Sequence, residues 1–247
     1  MFLDCCRMIT NGLETISQAW MVKRRCAFGN ESSVKEVMTQ KQSNSTPIGI
    51  AVDSLNGHLY WADQEGGPIR RSDLDGSNVV DILNELLDKP TTITIDISNR
   101  WLYFSDHGRH TIERCKFDGS SRQTLISEDV ISPYGLALGK ALNSKTWTRK
   151  RLYWTDAALY HIKSSTIVGS DVKTLSIDVR PLGYIGTRIV VMGIDVYGSY
   201  LYASNINTGI YRIQKNKLNA VPELVFAIES AYGTIYGVKI ISKYLFV

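Results

Sequence analysis

The side chains best suited to chemistry in this 247-residue chain are carboxylates that recur. Asp53, Asp96 and Asp195 each stand six residues ahead of a Leu-Tyr pair, and Asp63, Asp106 and Asp156 each close a segment that such a pair opens. Carboxylates converging on one point could hold a divalent cation and activate a water for hydrolysis. A metal site, however, is usually assembled from different residues on different elements. The same residue at the same place in every unit is what a structural turn shows, so neither a metal nor a cofactor nor a catalytic residue is expected. No Ser-His-Asp order with a nucleophile elbow, no Gly-rich phosphate loop and no paired Cys or His metal motif is present. The four histidines are His58, His107, His110 and His161. Histidine changes charge between pH 5 and 8, so a cluster in loops could release or recruit a ligand on acidification.

These residues ride on a repeat. Leu59-Tyr60-Trp61-Ala62-Asp63 returns as Leu102-Tyr103-Phe104-Ser105-Asp106 and as Leu152-Tyr153-Trp154-Thr155-Asp156, and in worn form as Leu201-Tyr202-Ala203-Ser204-Asn205. Sixteen residues after the leading leucine come Asp75-Gly76-Ser77, Asp118-Gly119-Ser120 and the worn Val168-Gly169-Ser170. In the first unit Ile48, Ile50 and Val52 alternate as an inner strand ending at Asp53. Asn56-Gly57 supplies a tight-hairpin pair, His58 to Asp63 a second strand, Ile69 to Asp73 a third, and Val79 to Leu83 a fourth. Leu, Tyr and Trp follow one another without polar alternation, so both faces of the sheet should be covered. Stacked propeller blades do that. The closing aspartate can cap the turn that follows it, and Tyr and Trp add large buried area with a polar tip that needs a partner.

The Leu-Tyr-Trp-Thr-Asp motif, with Gly49-Ile50-Ala51-Val52-Asp53 upstream and Ile69, Arg71 and Asp75-Gly76-Ser77 downstream, closely resembles the low-density lipoprotein receptor class B, or YWTD, repeat. The second unit keeps Asp96, Tyr103, Asp106, Ile112, Arg114 and Asp118-Gly119; the third keeps the motif itself. The resemblance spans roughly residues 33 to 247. It implies an all-β fold, a six-bladed β-propeller of four-stranded antiparallel blades, incomplete here with about five. It also implies that Tyr60, Trp61, Asp63, Tyr103, Phe104, Asp106, Tyr153, Trp154 and Asp156 fill and join the blades.

The expected blade units lie near residues 44–87, 88–130, 131–188 and 189–230, with a partial unit 231–247 completed by a strand at 33–38. Residues 1–30 carry no repeat marks and are expected to be poorly ordered or a short helix around Leu13 to Val22. Two insertions interrupt the pattern. Gly139 to Arg151 is rich in Lys140, Lys145, Arg149, Lys150 and Arg151, and could attract an anionic partner; Ser170 to Val190 is the other. Cys5, Cys6 and Cys26 crowd the N-terminus, while Cys115 sits alone in an expected strand as a small buried side chain.

Lys and Arg total 28 against 24 Asp and Glu, a balance too mild for nucleic acid as the main partner. No apolar run approaches the ~18–20 residues of a membrane span, and no signal peptide is visible, so this chain is expected to make no membrane contact itself. The resemblance implies a protein-binding module of an extracellular or cell-surface lipoprotein receptor-related protein, endocytic or Wnt co-receptor in type. A nidogen-like matrix propeller and a calcium-dependent propeller hydrolase are the alternatives. The protein ligand is expected on the face carrying the loops after the second strands, at Gln64, Glu65, His107, Arg109, His110, Tyr160, His161 and Asn207. Asn30 and Asn44 open glycosylation sequons.

Overall fold

A computed structural model of the chain describes residues 47–64, 67–140, 150–176, 192–205, 209–215 and 217–226 in full. It describes the backbone alone of residues 5–9, 21–25, 35–36, 191, 227, 239–241 and 244–246. Every regular element among them is a strand. Four consecutive four-stranded antiparallel sheets form the blades. The first holds β4 (Pro47–Asp53), β5 (His58–Asp63), β6 (Ile69–Asp73) and β7 (Val80–Leu83). The second holds β8 (Pro90–Asp96), β9 (Trp101–Asp106), β10 (Thr111–Lys116) and β11 (Gln123–Ile126). The third holds β12 (Pro133–Lys140), β13 (Lys150–Asp156), β14 (His161–Thr166) and β15 (Lys173–Ser176). The fourth holds β16 (Val191–Tyr197), β17 (Tyr200–Asn205), β18 (Gly209–Gln214) and β19 (Glu223–Ala227). The chain is an all-β propeller.

The blades share their irregularities as well as their strands. In each, the third strand slips register against the fourth just after its isoleucine, at Ile69, Ile112, Ile162 and Ile210. Pro47, Pro90 and Pro133 each open an inner strand, the strand position where a missing N–H is tolerated. Neighbouring inner strands pack backbone to backbone. A Cβ added to Gly49 would lie 2.5 Å from the Thr91 carbonyl oxygen, and one on Gly135 would lie 2.8 Å from that of Met192.

The cores lie between blades, and the motif divides its side chains between the two faces with period two. Tyr60 packs forward into the second blade with Ile93, Leu102, Phe104, Cys115 and Phe117. Tyr103 packs forward with Leu136, Leu152 and Trp154 of the third. Tyr153 packs forward with Ile194, Leu201 and Ala203 of the fourth. All of β5 from Leu59 to Asp63 is buried, which accounts for its unalternating sequence.

The ends depart from the sequence reading. β1 (Cys5–Ile9), β2 (Met21–Arg25) and β3 (Lys35–Glu36) form a three-stranded sheet. Met21 and Val22 therefore stand in a strand and not at the end of a helix, while 10–20 lie outside the described residues. Of the strand expected at 33–38, Lys35 and Glu36 pair with β2 rather than with the C-terminal hairpin of β20 (Lys239–Ile241) and β21 (Tyr244–Phe246). The basic insertion also starts later than expected. Lys140, Lys150 and Arg151 belong to β12 and β13, and only 141–149, with Lys145 and Arg149, lie outside the described residues. Asn30, Asn44, Glu65, Asn207 and residues 177–190 lie outside them too. No helix long and apolar enough to cross a membrane occurs among the described residues.

Candidate functional site

In an antiparallel meander the turns between first and second and between third and fourth strands share one face, here the hairpin face. The turns between second and third strands share the other with the connectors that lead to the next blade, here the loop face. The recurrent carboxylates serve both faces as backbone acceptors. On the hairpin face Asp53 Oδ1 accepts from the Leu55 and Asn56 N–H groups at 3.1 and 3.2 Å, and its Oδ2 from the Asn56 side chain at 2.6 Å. Asp96 does the same with Asn99. The first hairpin is thus a four-residue turn, 54–57, and not the expected two-residue one: Gly57 alone has positive φ, at 71°, and Asn56 is spent on Asp53.

On the loop face the closing aspartate does more than cap its own turn. Asp156 is fully buried and accepts four backbone N–H groups. Ala158 and Leu159 come from the turn that follows it, each at 3.1 Å. Ile131 at 2.8 Å and Ser132 at 3.2 Å come from the connector arriving from the second blade. Asp106 likewise takes Arg109 of its own turn and Asp88 and Lys89 of the preceding connector, all at 3.0 Å. The connector was missed as part of the site, because its partners lie 24 and 25 residues from Asp156. Its sequence signal is the proline that follows, at Pro90 and Pro133, with a left-handed residue ahead of it, Leu86 (φ 54°) or Asp129 (φ 55°).

The rigid loop face so formed presents a histidine pair between the second and third blades. His107 is half-buried; its Nδ1 lies 2.9 Å from Ser132 Oγ and its ring 5.1 Å from that of Tyr134. His110 is exposed, with Nδ1 bonded to the Ile131 carbonyl and its ring edge-on to His107 at 6.3 Å. Burial, aided by the charges of His110 and Lys89, lowers the His107 pKa below the ordinary histidine value against the pull of Asp106 and Asp156. Beside the pair, Arg109 reaches the buried Glu113 carboxylate at 3.9 Å. Glu113 is gripped at 2.7 Å by Arg122, whose other nitrogens hold the Glu85 and Leu86 carbonyls.

The structure thus brings His107, Arg109 and His110 together with Ile131, which is 48% exposed, and Leu86, 71% exposed. Gln64 and Tyr160 also lie on loop-face turns, both half-buried, and Tyr160 packs on the core between the third and fourth blades. His161 does not lie in a loop. Tyr160 closes the turn with φ 57°, and His161 begins β14 opposite Asp156, its Nδ1 buried without a hydrogen-bond partner. Of the motif residues, Tyr60, Tyr103, Tyr153, Phe104, Trp61 and Trp154 are all within 2% of full burial. The Trp61 and Trp154 indole N–H groups find no partner, the Tyr60 and Tyr103 hydroxyls lie beside the Arg71 and Arg114 guanidinium groups, and the Tyr153 hydroxyl donates to the Lys140 carbonyl at 3.3 Å. Burial pushes the Tyr153 phenol up to about 12.

The sequence profile of the low-density lipoprotein receptor repeat class B family matches residues 57–97 and 100–138. Among solved structures, the chain is similar to one in the crystal structure of a nidogen/laminin complex, at 19% identity and TM-score 0.59, covering 88% of this chain and 93% of that one. It is also similar to a gluconolactonase from Xanthomonas campestris, at 18% identity and TM-score 0.63 over 90% of this chain and 74% of that one. A catalytically inactive H270A virginiamycin B lyase from Staphylococcus aureus with quinupristin matches at 17% identity and TM-score 0.59, over 90% and 70%. Binding and catalytic proteins thus share this architecture, and at these identities the likeness concerns the fold. Residues 57–97 and 100–138 are thus matched as low-density lipoprotein receptor class B, or YWTD, repeats, and they lie in the first three blades of a β-propeller.

Proposed function

We propose that this propeller is an extracellular protein-binding module of the lipoprotein receptor-related kind, without catalytic activity, and that its ligand docks on the loop face around His107, Arg109 and His110. One observation carries the reading: every loop-face carboxylate that the repeat supplies in the second and third blades is spent on backbone N–H groups. The aspartates hold the loops still, and beside them the face exposes Arg109 and Lys89, the two imidazoles, the connector carboxylates of Asp88 and Asp129, and the apolar Leu86 and Ile131. Preformed loops with a mixed polar and apolar surface suit recognition of another protein. A matrix role like that of nidogen is the second reading, favoured by the 93% of the nidogen/laminin chain that this chain covers.

Surface plasmon resonance against laminin and a panel of extracellular proteins tests the proposal. A binder that loses at least tenfold in affinity with H107A/R109A/H110A supports it, and undiminished binding by that variant removes the site. If the two imidazoles also sense acidification, affinity differs between pH 7.4 and 5.5, and H107A and H110A abolish that difference.

A further inference from the structure

The hairpin face carries a charge pattern that the loop-face reading does not use. Its turns in the first blade are acidic, with Asp53, Asp73 and Asp75 near the lone His58. From the second blade to the fourth it turns basic, and the cations there are linked. Arg114 lies 4.1 Å and Lys116 3.8 Å over the Trp101 ring, and Arg114 also donates to the Ile167 carbonyl of the third blade at 3.1 Å. Lys116 donates to the Asn99 carbonyl at 3.4 Å, in the turn that Asp96 caps. Lys150 of the third blade pairs with Asp96 from the other side. Lys150 sits opposite Lys140 in the sheet, and the Lys140 carbonyl accepts from Lys215 of the fourth blade at 3.2 Å. Arg100 stands beside this run, 5.4 Å over the Phe117 ring.

The acids on this part of the face are fewer than its cations. Asp96 is buried and paired with Lys150, and Asp171 is held by Arg151 and Lys173, while Asp118, which accepts from Ser120 and feels the Arg100 charge, and Asp195, which accepts the Val196 N–H, remain as carboxylates among them. Lys215 is 7% exposed, and its pKa is lowered by burial and then by the Lys140 charge. Cations pinned by aromatic rings and carbonyls lose little further freedom when an anion arrives. Unbalanced charges in a run over three blades match a partner that is itself a line of charges.

We infer that the hairpin face of the second to fourth blades, around Arg100, Arg114, Lys116 and Lys140, binds a sulfated glycosaminoglycan. The choice of a sulfated sugar among polyanions rests on the extracellular reading above; the basic run itself does not. The test measures binding of a heparin oligosaccharide to the full chain between 0.05 and 0.3 M NaCl. Affinity falls with salt through counterion release, and R100Q/K116Q weakens binding at least tenfold at 0.15 M while flattening the salt slope by about one per contact removed. H107A/R109A/H110A leaves heparin binding unchanged, so loss of the loop-face ligand and loss of heparin are separable failures. An unchanged melting temperature in R100Q/K116Q shows that its fold is intact. The inference is overturned by absence of heparin binding at 0.15 M NaCl, by equal binding of R100Q/K116Q, or by single-stranded DNA or polyglutamate competing as well as heparin at equal charge.

Discussion

Replacing Asp156 by alanine removes one acceptor from four backbone N–H groups that lie on two different blades' segments: Ile131 and Ser132 on the incoming connector, Ala158 and Leu159 on the outgoing turn. A hydrogen bond to a charged group contributes about 1.5–3 kcal/mol, and a buried donor left unpaired costs about 1–3 kcal/mol. The four bonds share one carboxylate and are not additive, and the turn's donors can recover water. A loss of about 3–5 kcal/mol follows, a large part of the ~5–15 kcal/mol that holds a typical domain. At ~2–4 °C per kcal/mol for a chain of this size, D156A should melt about 6–20 °C below the wild type. Asp156→Asn separates the two oxygens. Oδ1 serves Ser132, Ala158 and Leu159, and Oδ2 serves Ile131 alone. An asparagine with its oxygen in the Oδ1 place keeps three bonds and turns its NH2 on the Ile131 N–H, for a loss of about 1–2 kcal/mol. Calorimetric and denaturant melts of both variants measure this. A loss under 1 kcal/mol in D156A, or equal losses in D156A and D156N, refutes the claim that this carboxylate joins the blades.

Other outcomes follow from the same geometry. Gly49→Ala places a methyl against the Thr91 carbonyl, where only backbone could move, and should cost about 2–3 kcal/mol in a denaturant titration despite the unfolded-state gain of removing a glycine. The Cys115 thiol is fully buried and pushed up to about 12 by that burial, so iodoacetamide at pH 8 should label it, by peptide mass mapping, only at the rate of unfolding. The His107 pKa is lowered in the fold, so the unfolded chain takes up protons first as pH falls through about 6.5. Stability should therefore drop between pH 7.4 and 5.5, and H107Q should flatten that drop in a melting series. In the third blade Thr166 Oγ1 accepts the Ser170 N–H at 3.1 Å, standing in for the aspartate that Val168 replaces. T166V should lose about 1 kcal/mol, and V168D on that background should restore it.

The repeat made the blades legible because each mark answers a separate physical demand. The Leu-Tyr-Trp run is buried on both faces, the prolines open inner strands, and the Asp-Gly-Ser turns need a left-handed glycine, with φ 87° at Gly76 and 84° at Gly119. β5 and β6 lie where the marks place them. The reading weakened where local signals compete. Asn56-Gly57 has the composition of a two-residue turn, but Asp53 draws the Asn56 side chain and amide into a longer one. The stretch ending at Met21-Val22 carries no repeat mark, and of it only Met21 and Val22 are described, paired in β2 with Ile9 and Met8 of β1. His161 looked like a loop residue because nothing local reveals that Tyr160 takes the left-handed conformation that ends the turn. Most of the candidate site was half visible: His107, Arg109 and His110 fall within four residues of sequence, whereas Ser132, Tyr134 and Ile131 reach them only through the Asp156 junction.

The measurement closest to the central claim compares binding and turnover on one preparation of the chain. Wild type and H107A/R109A/H110A are passed over laminin and the extracellular panel, and the same samples are offered a lactone and quinupristin with calcium or magnesium present. The account predicts saturable protein binding that the triple variant loses, with lactone and quinupristin consumed no faster than in buffer. Turnover that a chelator abolishes, or binding that the triple variant keeps in full, would contradict it.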